Sequence, residues 1–190
     1  MAAYTTTVRE KPQYLHALGM GVVAAIVVIA LASPRALQLT AQSISRFLTW
    51  GEIPHQDIGI IYKRDQFHAN QTYPAISVSP PDGSVSDFLI IPETSGLLVV
   101  ILFSIIMIPT MGLLKGQIWF KTSWLLLGIA IGLGWGITRM TLIITTAYLF
   151  GSNTSSFLYY VLIFFDIPWV VMMWSTGVSF LKREKLEEKI

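Results

Sequence analysis

The chain has 190 residues, of which 53% are apolar and 13% charged, with a formal net charge of +2 and a mean hydropathy of +0.61. Soluble domains of this length carry nearly twice that charge. So small a positive surplus, with no basic run interleaved with aromatics, excludes nucleic acid as a partner. The absence of cysteine excludes disulfides, thiolate metal sites and a cysteine nucleophile.

The first apolar run, Leu15 to Ala32, predicts a membrane helix over about residues 15–33, just long enough for roughly 30 Å of hydrocarbon. A secretory signal is the competing reading, because Arg9 and Lys11 precede the run and Ala30-Leu31-Ala32-Ser33 resembles a cleavage site. The run is read here as a membrane anchor. Residues 34–95 form the only sizeable polar stretch. Within it, Leu37, Ile44, Phe47 and Leu48 fall near helical spacing around Arg46, which predicts an amphipathic helix over Ala36–Trp50 lying on the outer membrane surface. Ile58–Tyr62, Ala75–Ser79 and Val85–Ile91, with the turn Pro80-Pro81-Asp82-Gly83, predict short strands in a small sheet or hairpin.

Three further apolar runs predict membrane helices over about 96–114, 122–150 and 157–181. The fold class expected is an all-α integral membrane protein of four transmembrane helices with a small extracytoplasmic helix and β-hairpin segment, all in one domain. Positive charge collects ahead of the first helix, at Lys115 and Lys121 between the second and third, and in the tail Lys182-Arg183-Glu184-Lys185. Both termini are therefore expected on the cytoplasmic side of the plasma membrane. The sequons at Asn70 and Asn153 then fall outside, as glycosylation candidates.

Few ionisable groups interrupt the apolar runs. Arg139 and Asp166 lie about ten and nine residues from the outer ends of their helices, roughly 14 Å deep at 1.5 Å per residue. Each alone would cost at least about 2.5–3.5 kcal/mol to insert. Helices joined by so short a loop pack antiparallel, so an Arg139–Asp166 ion pair is expected, either fixing helix register or serving a chemical role. Gly128, Gly132, Gly134 and Gly136 thin one side of the third helix for close approach, and Pro109 and Pro168 predict kinks. Trp124, Trp169 and Trp174 read as packing or interfacial residues. His16, His55 and His68 lack ligand spacing, so neither metal nor cofactor is expected.

From about Ser45 onward the order of elements resembles the exosortase/archaeosortase family of membrane transpeptidases. In that family an extracytoplasmic β segment leads into a Cys-Ser-Gly at the outer start of a membrane helix. A basic turn follows, then a helix with an essential arginine, often in an Asn-x-x-Arg pattern, an aromatic-glycine loop, and a histidine near the start of the next helix. Here Glu93-Thr94-Ser95-Gly96-Leu97 stands at the nucleophile motif, Gly136-Ile137-Thr138-Arg139 at the arginine motif, and Ala147-Tyr148-Leu149-Phe150-Gly151 at the loop. The likeness covers roughly the last 140 residues and rests on order and spacing. Thr94 replaces the cysteine, Gly136 the asparagine, and Tyr159 or Tyr160 the histidine, with Asp166 the only nearby group that titrates at ordinary pH. A threonine hydroxyl needs a positioned base, and none stands nearby in the sequence.

The function expected is a non-catalytic membrane scaffold, an accessory subunit bound to other membrane protein subunits within the lipid bilayer. The alternative is an exosortase-like transpeptidase that uses Thr94, with Arg139 stabilising an oxyanion and Asp166 or Tyr160 assisting. A proton or solute path through Arg139 and Asp166 ranks below both, because four helices with one charged pair make a poor conduit.

Overall fold

The computed structural model describes residues 13–51, 53–65, 71–80, 83–114 and 117–187. Asn70, His68, Lys115, Arg9, Lys11 and the Pro81-Asp82 part of the expected turn lie outside the described residues. So do the side chains of His16 and of the charged tail. In chain order the elements are α1 (Gln13–Leu31), α2 (Pro34–Trp50), a 3-10 turn (His55–Asp57), β1 (Ile58–Arg64), β2 (Thr72–Val78), β3 (Ser86–Leu89), α3 (Leu97–Leu113), α4 (Ile118–Phe150) and α5 (Ser152–Glu187).

Two helices, α4 and α5, are long and apolar enough to cross a membrane. The pair α1 and α2 qualifies together as a third crossing, although bent by 67°. The bend has a local cause. Pro34 lacks the N–H that would continue α1 and disfavours helical geometry at Ser33, which adopts ψ 149° and caps α2 by accepting a hydrogen bond from the Ala36 N–H at 3.3 Å. α3 is apolar but only 17 residues long.

α2 buries Leu37, Ala41, Ile44 and Leu48 and leaves Leu39, Phe47 and Trp50 exposed, the one-sided pattern of an amphipathic helix. The strands form an antiparallel sheet in the order β1-β2-β3, with Ile58 opposite Val78 and Ala75 opposite Leu89.

The interior divides into two apolar cores stacked along α4. One joins Met20 and Ala24 of α1, Val99 to Met111 of α3, Leu125 and Ile129 of α4, and Val170 and Met173 of α5. The other joins α2 and the sheet to Met140, Ile143, Ile144 and Leu162. Trp135 packs against both.

Close helix contact sets this division. A side chain at Gly128 would strike Phe103, one at Gly132 would press on Val100 and Trp169, and one at Gly136 would meet the backbone of Ser95 and Gly96. Residues 128, 132 and 136 recur every fourth position and so share one helix face. Gly134 is not on that face: nothing lies within 4 Å of where its Cβ would be. α3 therefore begins opposite Gly136, and the C-terminal turns of α4, residues 137–150, about 20 Å of helix, are packed by α2 and the sheet.

Two local expectations need correction. Lys121 does not lie in a connection; it is in the first turn of α4, buried, with its ammonium donating to the Leu114 carbonyl at the C-terminal end of α3. There it satisfies a carbonyl left over by the helix and meets the negative end of the dipole. The expected loop over 151–156 reduces to Gly151, at φ +85°, because α5 begins at Ser152.

Candidate functional site

The turn from β3 into α3 is the first component of the site. The Thr94 hydroxyl donates to the Leu89 carbonyl (3.0 Å) or the Ile91 carbonyl (3.2 Å) and accepts from the Ile91 N–H (3.1 Å). Ser95 is buried, and its hydroxyl donates to the Pro92 carbonyl at 2.9 Å. Threonine and serine favour such short-range bonds to nearby backbone because the hydroxyl is close to the main chain. The turn ends at Gly96, φ +89°, where only glycine is unstrained.

Behind the turn stands the ion pair. Arg139 Nη1 donates to Asp166 Oδ2, and the two side chains are 2% and 6% exposed. Trp135 Nε1 donates to the other carboxylate oxygen, Oδ1, at 2.7 Å. Arg139 Nη2 lies 3.4 Å from the Glu93 carbonyl, at the long limit of such a bond. Arg139 Nε has no partner among the described residues. Trp135 and Arg139 are one turn apart on the same face of α4, so both reach the carboxylate that α5 brings in from the opposite direction.

In front of the turn a cleft of about 310 Å³ opens between β3, the C-terminal half of α4 and the N-terminal turns of α5. Its walls include Asp87, Thr94, Met140, Ser155, Tyr159 and Tyr160, and the two tyrosine rings meet edge to face at 5.7 Å. The structure thus brings Thr94 and Tyr160 to one cleft and joins Arg139 to Asp166. The ion pair does not line that cleft, and it touches the turn only through the Glu93 carbonyl. Asn153 is exposed in the first turn of α5, while the Ser155 hydroxyl is buried and donates to the Ser152 carbonyl. This helical setting differs from the surface loop that carries most glycosylation sites. His55 lies in the 3-10 turn, and no three His, Asp or Glu side chains cluster for a metal among the described residues.

Three residues of this region carry weight that the sequence reading did not assign. Trp135 was marked only by its spacing of four from Arg139. Tyr148 donates to Asp57 Oδ2 at 2.8 Å and ties the outer segment to α4. Asp87, in the cleft wall, forms an ion pair with Lys63 at 2.6 Å, a contact between two strands that sequence spacing does not announce.

Hydrogen bonding from Lys63, then from Ser77, holds the Asp87 carboxyl below its ordinary range. A lowered folded-state value means that the contribution is present above the unfolded value and fades as pH falls through the folded one. Acidification below about pH 4 is therefore expected to loosen β3, and Asp87→Asn should flatten that acid limb in a pH series of thermal midpoints. An unchanged limb would remove the ion pair as its cause.

Comparison with protein-family models, with curated proteins and with solved structures returns no match for this chain.

Proposed function

We propose that this chain is a non-catalytic scaffold of the plasma membrane, an accessory subunit of a larger membrane protein complex, which keeps a sortase-like arrangement of elements without the chemistry. The carrying observation is the state of the Thr94 hydroxyl. Its proton is directed at backbone carbonyls and its lone pair receives the Ile91 N–H, so the group acts as a turn clasp. A nucleophilic hydroxyl needs a base within hydrogen-bond reach. The carboxylate in the cleft wall, Asp87, has Oδ2 engaged by Lys63, whose hydrogen bond holds the carboxyl below its ordinary range. Arg139 faces Asp166 and is buried behind the turn, away from where an oxyanion would form in the cleft.

The bilayer fits this reading over α1, α3, the part of α4 up to Gly136 and the facing part of α5. α4 is about 50 Å long at 1.5 Å per residue, against roughly 30 Å of hydrocarbon. α1 and α3, about 28 and 26 Å long, match that thickness beside the inner part of α4. Four helices then cross, both termini are cytoplasmic, and α2, the sheet and the outer turns of α4 and α5 stand outside. The ion pair falls at the outer boundary between the two cores.

A second reading, an exosortase-like transpeptidase, draws on the cleft that Thr94 shares with Tyr160. The two separate in one experiment: purification of tagged chain from its source membranes in mild detergent, with mass spectrometry of the intact particle, for wild type and Thr94→Ala. The scaffold reading expects stoichiometric partner subunits with both proteins. It also expects the variant to be less stable by about 1–3 kcal/mol, because backbone groups at Leu89 and Ile91 lose their partner, with Thr94→Ser restoring most of that. A lone wild-type chain, together with loss of cleavage of a surface protein only in the alanine variant, would overturn it in favour of the enzyme.

A further inference from the structure

Gly134 raises a question that packing does not answer. Glycine in a helix interior costs about 1 kcal/mol relative to alanine; at 128 and 136 a side chain would clash with neighbouring atoms, and at 132 it would press on Val100 and Trp169. At 134 the position is exposed and no atom stands within 4 Å. The missing side chain instead keeps open a groove of about 520 Å³, lined by Phe47 of α2, by Ile131, Trp135 and Thr138 of α4, and by Trp169 of α5. The volume is that of a small-molecule site. The Thr138 hydroxyl donates to the Gly134 carbonyl at 2.9 Å, so the groove presents an almost wholly apolar wall.

At the α2 end the character changes. The Phe47 ring meets Trp50 edge to face at 5.4 Å, and beyond Trp50 lies a second hollow of about 500 Å³ walled by Arg46, Thr49 and His55. Arg46 is exposed and has no acidic partner among the described residues. An apolar trough thus runs into a cationic recess past two aromatic rings. An amphiphile with a long hydrocarbon tail and an anionic head matches that order, since guanidinium binds phosphate through paired N–H donors and tryptophan favours the headgroup level.

We propose that this groove is a lipid site. One acyl chain of an outer-leaflet glycerophospholipid lies against Gly134 under Phe47, and its phosphate is held by Arg46. The site uses the bilayer placement given above but does not depend on the partner reading. Groove residues 131–138 straddle the level at which α3 begins, so the tail enters the hydrocarbon while the head stays level with α2.

The test uses full-length chain, stripped of lipid in detergent and titrated with dioleoylphosphatidylglycerol, with adducts counted by native mass spectrometry. Wild type is expected to retain one lipid preferentially. Gly134→Leu, which puts a side chain into the groove from a position where a Cβ meets no atom within 4 Å, should lower that adduct at least tenfold while co-purification with other subunits continues. Arg46→Gln should lower it severalfold. Should the leucine variant fold poorly, Phe47→Ala, which removes the roof of the groove, should give the same loss. A statistical ladder of adducts in wild type, or equal retention in Gly134→Leu, overturns the lipid site. Loss of partner subunits from Gly134→Leu with the lipid adduct intact also overturns it, and assigns the groove to a neighbouring helix. Loss of the adduct alone leaves the scaffold reading untouched, so the two proposals fail separately.

Discussion

Gly136→Ala is expected to destabilise the protein by about 3 kcal/mol or more, as an overpacking change that no side-chain rotation relieves. A Cβ at 136 would lie 2.5 Å from the Gly96 Cα, 2.6 Å from the Ser95 carbonyl oxygen and 2.8 Å from the Gly96 nitrogen. All three atoms are backbone, in a turn held by the Thr94 and Ser95 hydroxyls, so relief requires moving the start of α3. For a chain of this size the loss corresponds to roughly 6–12 °C in thermal midpoint. Gly134→Ala, two residues away and free of neighbours, is expected to stay within about 1 kcal/mol of wild type and to shift toward higher stability. A thermal series on detergent-solubilised protein checks both, and equal behaviour of the two variants would refute the close approach of α3 and α4 at Gly136. The contact also bears on the family resemblance. The arrangement proposed above would place an asparagine at this position, and here a Cβ already meets backbone atoms at 2.5–2.8 Å.

The second large effect concerns the ion pair. Asp166→Leu is expected to cost about 3–5 kcal/mol, because it strands a buried guanidinium and removes the acceptor of the Trp135 N–H. Arg139→Met alone should cost less, since the carboxylate keeps the Trp135 indole donor. The double variant Arg139→Met/Asp166→Leu should recover most of the loss, as buried pairs replaced together by apolar groups of similar volume often do. Thermal midpoints of the four proteins close the cycle. A double variant that folds and assembles marks the pair as a register device. A double variant that folds but no longer supports the activity of the proposed complex would assign the pair a chemical role.

Much of the fold is legible in the chain because its signals are local. Apolar runs mark α1, α3, α4 and α5, the one-sided spacing of Leu37, Ile44 and Leu48 marks α2, and turn residues separate the strands. What escaped depended on partners distant in sequence. Lys121 reads as a loop charge until the C-terminal carbonyl of α3 is beside it. Trp135 reads as one more aromatic until Asp166 arrives from α5. Thr94 reads as a degraded nucleophile, although a hydroxyl just past a strand end within Pro92–Gly96 also fits a turn clasp, and local bonding preference alone would have raised that option. The glycines held a signal that was passed over: 128, 132 and 136 keep a spacing of four and 134 does not, so one of the four had to have a different reason for being glycine.

The unequal lengths of the helices have a mechanical consequence. α4 runs from its inner end to the outer tip at Gly151 with no proline, whereas α5 carries Pro168 two residues beyond Asp166. A proline removes one rung of backbone bonding and lets a helix bend there. A pull or twist applied to the outer tip is therefore carried down α4 as by a rigid rod, while α5 flexes at a single joint beside the carboxylate that ties the two together. A force on that end of α4 would reach the Arg139–Asp166 bond along a helix with no proline, with the joint at Pro168 directly beside it.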